Sequence, residues 1–393
     1  MTARPMTVLQ VVPELDTGGA ERTTIDIAAA LVEAGERAIV VSEGGRLVDE
    51  LLATGAEHVT MPVATKRVLA MRRNAGRLAD LMEREGVDIV HARSRAPAWS
   101  SLWAASWTYR PFVTTYHGAY SEKTALKRRY NSVMARGDIV IANSAFTAAL
   151  VAERHPVARS RIVTIHRGID LSRFDEDAGG RAEALRALWR IDPRERIILH
   201  LARLTPWKGQ SLLLDALALL ARTQPEGWVC VMAGDDQGRE AYTQSLVDKA
   251  KSLGLWRKVR IVGHVEDVPA ALAATTIAVQ PSVEPEAFGR AAVEAQAARV
   301  PVVVSDHGAV RETVLAPPDA ARDKRTGWRF PPGDAEGLSQ ALFEALQASH
   351  ETRRTIGLRG RAHALTHFSL DAMKRKTLGV YHSLLEDDVS ALY

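Results

Sequence analysis

The stretch Ile277-Ala278-Val279-Gln280-Pro281-Ser282-Val283-Glu284-Pro285-Glu286-Ala287-Phe288-Gly289-Arg290-Ala291-Ala292-Val293-Glu294-Ala295 changes local character within a few residues. Ile277–Gln280 is a short apolar run of the kind that fills a strand buried on both faces. Proline and acidic residues then break it. A helical pattern begins near Phe288 and continues through Arg290–Ala298. A second apolar run, Val302–Val304, follows almost at once. Strand, helix and strand at this spacing make a βαβ unit, which requires a parallel sheet.

The same alternation extends in both directions. Ile197–Leu201, Val229–Ala233 and Val259–Val262 read as further buried strands, with Gln210–Arg222 and Glu240–Leu253 as helices between them. In the first half the strand candidates are Thr7–Val12, Ala38–Ser42, His58–Val63, Asp88–Ala92, Phe112–Tyr116, Ile139–Ala142 and Ile162–Ile165, with helices such as Glu21–Glu33 and Arg67–Glu85. The expected class is α/β, with two Rossmann-like domains facing across a cleft. The polar run Asp175-Glu176-Asp177-Ala178-Gly179-Gly180 separates the halves. Residues 1–175 are therefore read as the N-terminal domain and 176–393 as the C-terminal domain. The last helix is free to pack back on the N-terminal domain.

Composition agrees with this reading. The chain has 393 residues, 46% hydrophobic and 25% charged, which excludes disordered, collagenous and disulfide-framework classes. Lys and Arg total 51 against 47 Asp and Glu, a net charge of +4. That excess is too small to suggest nucleic-acid binding. The single cysteine, Cys230, lies in an apolar strand and cannot form an intrachain disulfide. No secretory signal is evident, and apolar runs are broken well before membrane-spanning length, as by Asp215 within Leu212–Leu220. The expected location is the cytoplasm.

Four segments place reactive side chains at strand carboxyl ends. Glu286 precedes a helix whose free N–H groups suit phosphate or sugar hydroxyls, and Glu294 lies about two turns along that helix. An N-terminal dipole partner and a solvated helix residue would give the same two letters. In Arg203-Leu204-Thr205-Pro206-Trp207-Lys208-Gly209, two cations follow a strand and suit a diphosphate, though plain surface cations fit as well. Trp207 can stack on a ligand or simply pack. In Pro13-Glu14-Leu15-Asp16-Thr17-Gly18-Gly19-Ala20-Glu21-Arg22 the two glycines permit close backbone approach or a tight turn. This segment is not the G-x-G-x-x-G of dinucleotide sites. His117-Gly118 ends another strand, where the imidazole can meet a substrate or serve the structure.

Two basic faces complete the survey. One carries Lys66, Arg67, Arg72, Arg73 and Arg77 with Val68, Leu69, Met71 and Leu78 interleaved. The other carries Lys123, Lys127, Arg128, Arg129 and Arg136, opposed nearby only by Glu122 and Asp138. Such faces suit an anionic membrane surface, an acidic acceptor, or solvent alone.

Taken together, these residues resemble the retaining glycosyltransferases of family 4, which have the GT-B fold. The resemblance spans nearly the whole chain. It rests on the E-x7-E pattern from Glu286 to Glu294, the following Pro301-Val302-Val303-Val304-Ser305, Arg203 with Lys208-Gly209, Gly18-Gly19, His117-Gly118 and Asn143-Ser144, all in the family's order. It implies that residues 1–175 bind the acceptor and residues 176–393 the nucleotide-sugar donor, whose diphosphate Arg203 and Lys208 hold. The Gly19 backbone, with Gly18 beside it, and the N–H groups of Phe288, Gly289 and Arg290 would complete the cradle. Glu286 would contact the transferred sugar, Glu294 the ribose, Val265 the nucleobase region, and His117 the donor sugar.

The resemblance further implies same-face attack, with the departing phosphate able to take the acceptor proton, so Glu286 is not assigned as a covalent nucleophile. The resemblance also implies that no cofactor or catalytic metal is expected. The expected activity is hexose transfer to a lipid-linked or cell-envelope saccharide such as lipopolysaccharide core. The expected setting is the cytoplasmic face of an anionic membrane. A nucleotide-sugar epimerase, a sugar phosphorylase and a non-catalytic sugar-binding protein are the alternatives. Two departures stand out: Arg167 occupies a position where the family usually has Asn, and Gly234-Asp235-Asp236 lacks the common Gly-Asp-Gly.

Overall fold

The computed structural model describes residues 4–16, 18–118, 120, 124–175 and 177–390. Thr17, Glu122, Lys123 and Glu176, named above, lie outside the described residues. The chain falls into two compact units, Met1–Gly168 with Leu370–Tyr393, and Ile169–Ser369. The change of unit thus comes at Gly168, where the polar composition had pointed to Asp175.

The first unit holds a seven-stranded sheet of β1 (Thr7–Val11), β2 (Arg37–Ser42), β3 (Glu57–Thr60), β4 (Ile89–Ala92), β5 (Phe112–Tyr116), β6 (Ile139–Ala142) and β7 (Ile162–Thr164), in the order β3-β2-β1-β4-β5-β6-β7. The second holds six strands, β8 (Arg196–Leu201), β9 (Trp228–Ala233), β10 (Val259–Gly263), β11 (Ile277–Gln280), β12 (Val302–Ser305) and β13 (Gly327–Phe330), in the order β10-β9-β8-β11-β12-β13. Every pairing is parallel. Each unit is a doubly wound Rossmann-like sheet, the α/β architecture of the GT-B fold.

Alternate residues of each strand feed separate cores on the two faces. Leu9 and Val11 pack with Ile39 and Phe112, whereas Val8 joins Ile27, Ile89 and Tyr381. Likewise Val229 and Val231 face one core of the second unit while Trp228, Cys230 and Met232 face the other. Burial pushes the Cys230 thiol pKa up, which suits a packing role. The terminal helix, Leu370–Ser390, sets Met373, Val380 and Tyr381 into the core of the first unit.

The sequence reading missed β13, because Gly327-Trp328-Arg329-Phe330 carries a charge and follows the cations Arg322, Lys324 and Arg325. The helix expected near Phe288 begins at Arg290, since Gly289 holds a left-handed φ of 81° just before it. On the Val68–Arg84 helix, Met71 and Leu78 turn to the core, leaving Val68 and Leu69 among the exposed cations.

Candidate functional site

In a doubly wound sheet the strand order reverses at one point, and the loops at the carboxyl ends of the two strands there splay apart to leave room for a ligand. In the second unit that point lies between β8 and β11. The loop after β8 carries Arg203 to Gly209, and the loop after β11 carries Ser282 to Gly289. Sheet topology therefore makes neighbours of two segments that are far apart in sequence.

The loops are joined by backbone and by charge. Val283 N donates to Trp207 O at 2.8 Å. Lys208 Nζ lies 2.5 Å from Glu286 Oε1, and Ser282 Oγ donates to the same oxygen at 2.6 Å. The side chains of Lys208 and Glu286 are only 14% and 9% exposed, so this ion pair is largely shielded from water. Lys208 Nζ also sits 4.1 Å from the centre of the Trp207 ring, a cation–π contact that fixes the ammonium from a second side. Glu286 Oε2 takes no hydrogen bond among the described residues and keeps its acceptor capacity. The Glu286 backbone is held by Ala309 N donating to its carbonyl at 2.8 Å, beside Gly308.

Immediately beyond, the Arg290–Ala297 helix presents its N-terminus. Phe288 is buried, its ring edge-on to Phe368 at 5.5 Å, which anchors the turn. Arg290 Nε meets Glu294 Oε1 at 2.7 Å and orients the second carboxylate, which is otherwise nearly buried. Arg203 is exposed, and its Nη1 donates to Gln237 Oε1 at 3.2 Å. The Arg203 carbonyl accepts from Gln210 Nε2 at 2.9 Å, while Gln210 Oε1 accepts from the Tyr242 hydroxyl at 3.1 Å. Val265 is buried in the core of this unit, so only its backbone is left for a ligand.

Sequence reasoning passed over His200, which lies in β8. Its Nδ1–H donates to Val279 O at 2.9 Å, leaving Nε2 buried without a partner among the described residues. Burial, aided by the charge of Lys208, lowers the His200 pKa to about 4, so the ring is neutral at physiological pH. Ser282, Gln210 and Tyr242 were missed as well. Gln210 and Tyr242 meet across 32 positions while Ser282 acts on Glu286 four residues on, and no local motif announces any of them.

The first unit repeats the topology, with its reversal between β1 and β4. Gly18 and Gly19 follow β1 and open the Gly19–Glu33 helix. Neither glycine needs a left-handed backbone. The missing side chain of Gly19 makes room for Arg167, because a Cβ there would fall 2.1 Å from the guanidinium. Arg167 Nη2 donates to Gly19 O at 2.7 Å. The Asn-to-Arg departure thus has a structural counterpart 148 residues away.

Arg93, buried at the end of β4, donates to Thr23 O at 2.7 Å. Beside it, His91 bridges the Tyr381 hydroxyl at 2.6 Å and Thr115 Oγ1 at 2.7 Å. His117, after β5, has a buried Nε2 without a hydrogen-bond partner among the described residues. Burial, then the charges of Arg93 and Arg167, hold its pKa well below the usual histidine range. His117 is therefore a neutral group able to donate or accept. No group of His, Cys, Asp or Glu among the described residues is arranged to hold a metal ion.

Residues 17–173 match the family described as glycosyltransferase family 4, and residues 182–363 match that described as glycosyl transferases group 1. The chain is similar to the D-inositol 3-phosphate glycosyltransferase of Mycobacterium sp. (strain KMS), at 30% identity over 76% of this chain and 67% of that protein. The protein of the same name from Salinispora tropica is 28% identical over 76% of this chain, which spans only 60% of its length. Among solved structures, a glycosyltransferase from Rickettsia africae superimposes with a TM-score of 0.88 at 33% identity, covering 98% of this chain and 99% of that one.

Proposed function

This chain belongs to glycosyltransferase family 4, and on that premise we propose that it is a retaining hexosyltransferase using a nucleoside diphosphate sugar. The observation that carries the reading is the Lys208–Glu286–Ser282 cluster beside the N-terminus of the Arg290–Ala297 helix. Breaking the bond between the sugar C1 and the diphosphate builds negative charge on the leaving oxygen. Lys208, Arg203 and the N–H groups of Phe288, Gly289 and Arg290 supply fixed positive charge for it. These groups can do the electrostatic work of a metal ion, so no metal requirement is proposed.

Glu286 accepts sugar hydroxyls through Oε2 while Lys208 and Ser282 hold Oε1 in place. Glu294 accepts the ribose hydroxyls, and the backbone near Val265 borders the base. His117 and the Gly18-Gly19 turn are proposed as sugar-binding groups of the first unit. The acceptor hydroxyl attacks on the face the diphosphate leaves, and the departing phosphate oxygen takes its proton.

The test is thermal unfolding with UDP, GDP, ADP and their common sugar conjugates, with chelator present. A ligand at 100 times its Kd adds about 2.7 kcal/mol, an easily read shift. Stabilisation by one nucleotide class, reduced in Lys208→Ala and Glu294→Ala, is the expected result. No shift with any nucleotide would remove the transferase reading.

For the acceptor, we propose a lipid-linked or cell-envelope saccharide, such as lipopolysaccharide core, reached from the surface of an anionic membrane. Support comes from the first unit. Leu69 is 84% exposed amid Arg67, Arg72 and Arg73, and Leu126 is 79% exposed beside Lys127, Arg128 and Arg129. Trp107, 49% exposed on the Arg95–Thr108 helix, is a side chain suited to the bilayer interface, whereas Trp99 on the same helix packs against the core. Among the described residues no helix is long and apolar enough to cross a membrane. Replacing Arg72, Arg73, Arg128 and Arg129 by Gln should weaken binding to anionic vesicles at least tenfold. Unchanged binding would reject the membrane surface and favour a soluble acceptor.

A further inference from the structure

The donor loops lie at the carboxyl ends of the second unit's strands. At the opposite, amino ends is a cavity of about 450 Å³, reached where Arg196 opens β8, Thr276 precedes β11 and Pro301 precedes β12. Four arginines border it, Arg196, Arg299, Arg353 and Arg354, together with His350, and none of the residues lining it is acidic. Like charges gathered this way repel, so their placement needs a reason.

Two of them are held by backbone carbonyls. Arg196 Nη1 and Arg353 Nη1 both donate to Leu346 O, at 2.6 and 3.1 Å, near the end of the Ala335–Gln347 helix. Helix capping accounts for that pair. It does not account for Arg299 and Arg354. Arg354 lies in the second turn of the His350–His367 helix, outside that capping contact. Arg299 has a left-handed backbone, φ 62°, just after the Arg290–Ala297 helix. Glycine fills such a position without strain, and arginine does not. Among the described residues Arg299 pairs with Asp175 at 3.5 Å, a carboxylate also bonded by Arg361. Arg299 thus occupies a position that folding alone disfavours, and it stands with three further arginines around one cavity.

We infer that this cavity binds a small molecule bearing a phosphate or pyrophosphate group, at a site separate from the donor loops. The planar guanidinium fork matches phosphate oxygens two at a time. Arg196 and Arg353 are preorganised by their carbonyl bonds, so they lose little freedom on binding. The volume lies in the range of pockets that take small ligands, and is suited to a sugar phosphate or a mononucleotide.

The probe is inorganic pyrophosphate, titrated calorimetrically into the full-length protein at physiological salt. Three proteins are compared: wild type, Lys208→Ala, and the double variant Arg299→Gly/Arg354→Gln. Pyrophosphate binding should persist in Lys208→Ala and weaken at least tenfold in the double variant, whose affinity for the stabilising nucleotide stays at the wild-type value. Because Arg299→Gly relieves a strained residue, the double variant should unfold no earlier than wild type. Lost binding would then not reflect lost folding. Binding unchanged in the double variant would overturn the inference. So would binding that disappears entirely with Lys208→Ala, since the donor site would then account for all of it.

Discussion

Replacing Lys208 by Met should lower kcat at saturating donor by about 10²–10³, the range seen when one preorganised charge-stabilising donor is removed. The argument starts from the ground state. Lys208 is shielded and bound to Glu286 Oε1 at 2.5 Å, with Trp207 packed on its other side. Its ammonium therefore needs no reorganisation when charge develops on the leaving diphosphate. The same geometry makes a second effect unavoidable. Methionine leaves Glu286 nearly buried with only the Ser282 hydroxyl on that oxygen, and an uncompensated buried carboxylate costs on the order of 3 kcal/mol. The two effects separate in the double variant Lys208→Met/Glu286→Gln, which carries no buried charge there. Urea denaturation should show most of the lost stability restored, while turnover with the nucleotide sugar selected by the thermal screen stays low. If turnover recovers together with stability, Lys208 serves the fold and not the chemistry.

The ion pair marks the limit of what the residues alone disclosed. A parallel strand buried on both faces must be apolar almost throughout, so runs such as Val302–Val304 and Val229–Ala233 were readable as strands. The helices between them followed from their period. The strand β13, which holds Arg329 and follows Arg322, Lys324 and Arg325, escaped that reading. The site was legible to the level of loops. Arg203 to Gly209 and Glu286 to Gly289 could each be placed at a strand's carboxyl end, where ligands of this class bind. That they meet depends on β8 lying beside β11, a fact of sheet order that local pattern does not contain. Arg167 shows the same limit, since only the folded chain brings it over Gly19. The buried His91, Arg93 and Tyr381 are more remote still, with the first and last separated by 290 positions. Such residues carry no signal because each is ordinary until its partner arrives.

Gly209→Ala should destabilise the second unit on the order of 3 kcal/mol and abolish nucleotide-dependent stabilisation. Gly209 directly follows Lys208 and initiates the Gln210–Thr223 helix with φ 77°. An alanine there pays the left-handed penalty of about 1 kcal/mol. A steric term adds to it. The new Cβ would lie 1.9 Å from Pro281 O, a backbone atom at the end of β11, so no side chain can swing away to relieve the contact. Relief requires the loop after β8 to move away from the loop after β11, which separates Lys208 from Glu286 and breaks the Val283–Trp207 hydrogen bond. The glycine therefore matters twice, for its dihedral and for the distance between two loops. Gly238→Ala is the control, because Gly238 also has a left-handed φ, 76°, but a Cβ there meets nothing within 4 Å. It should lose only the dihedral term and keep the nucleotide shift. Equal losses in the two variants would mean that strain alone explains Gly209 and that the loop spacing is not under its control.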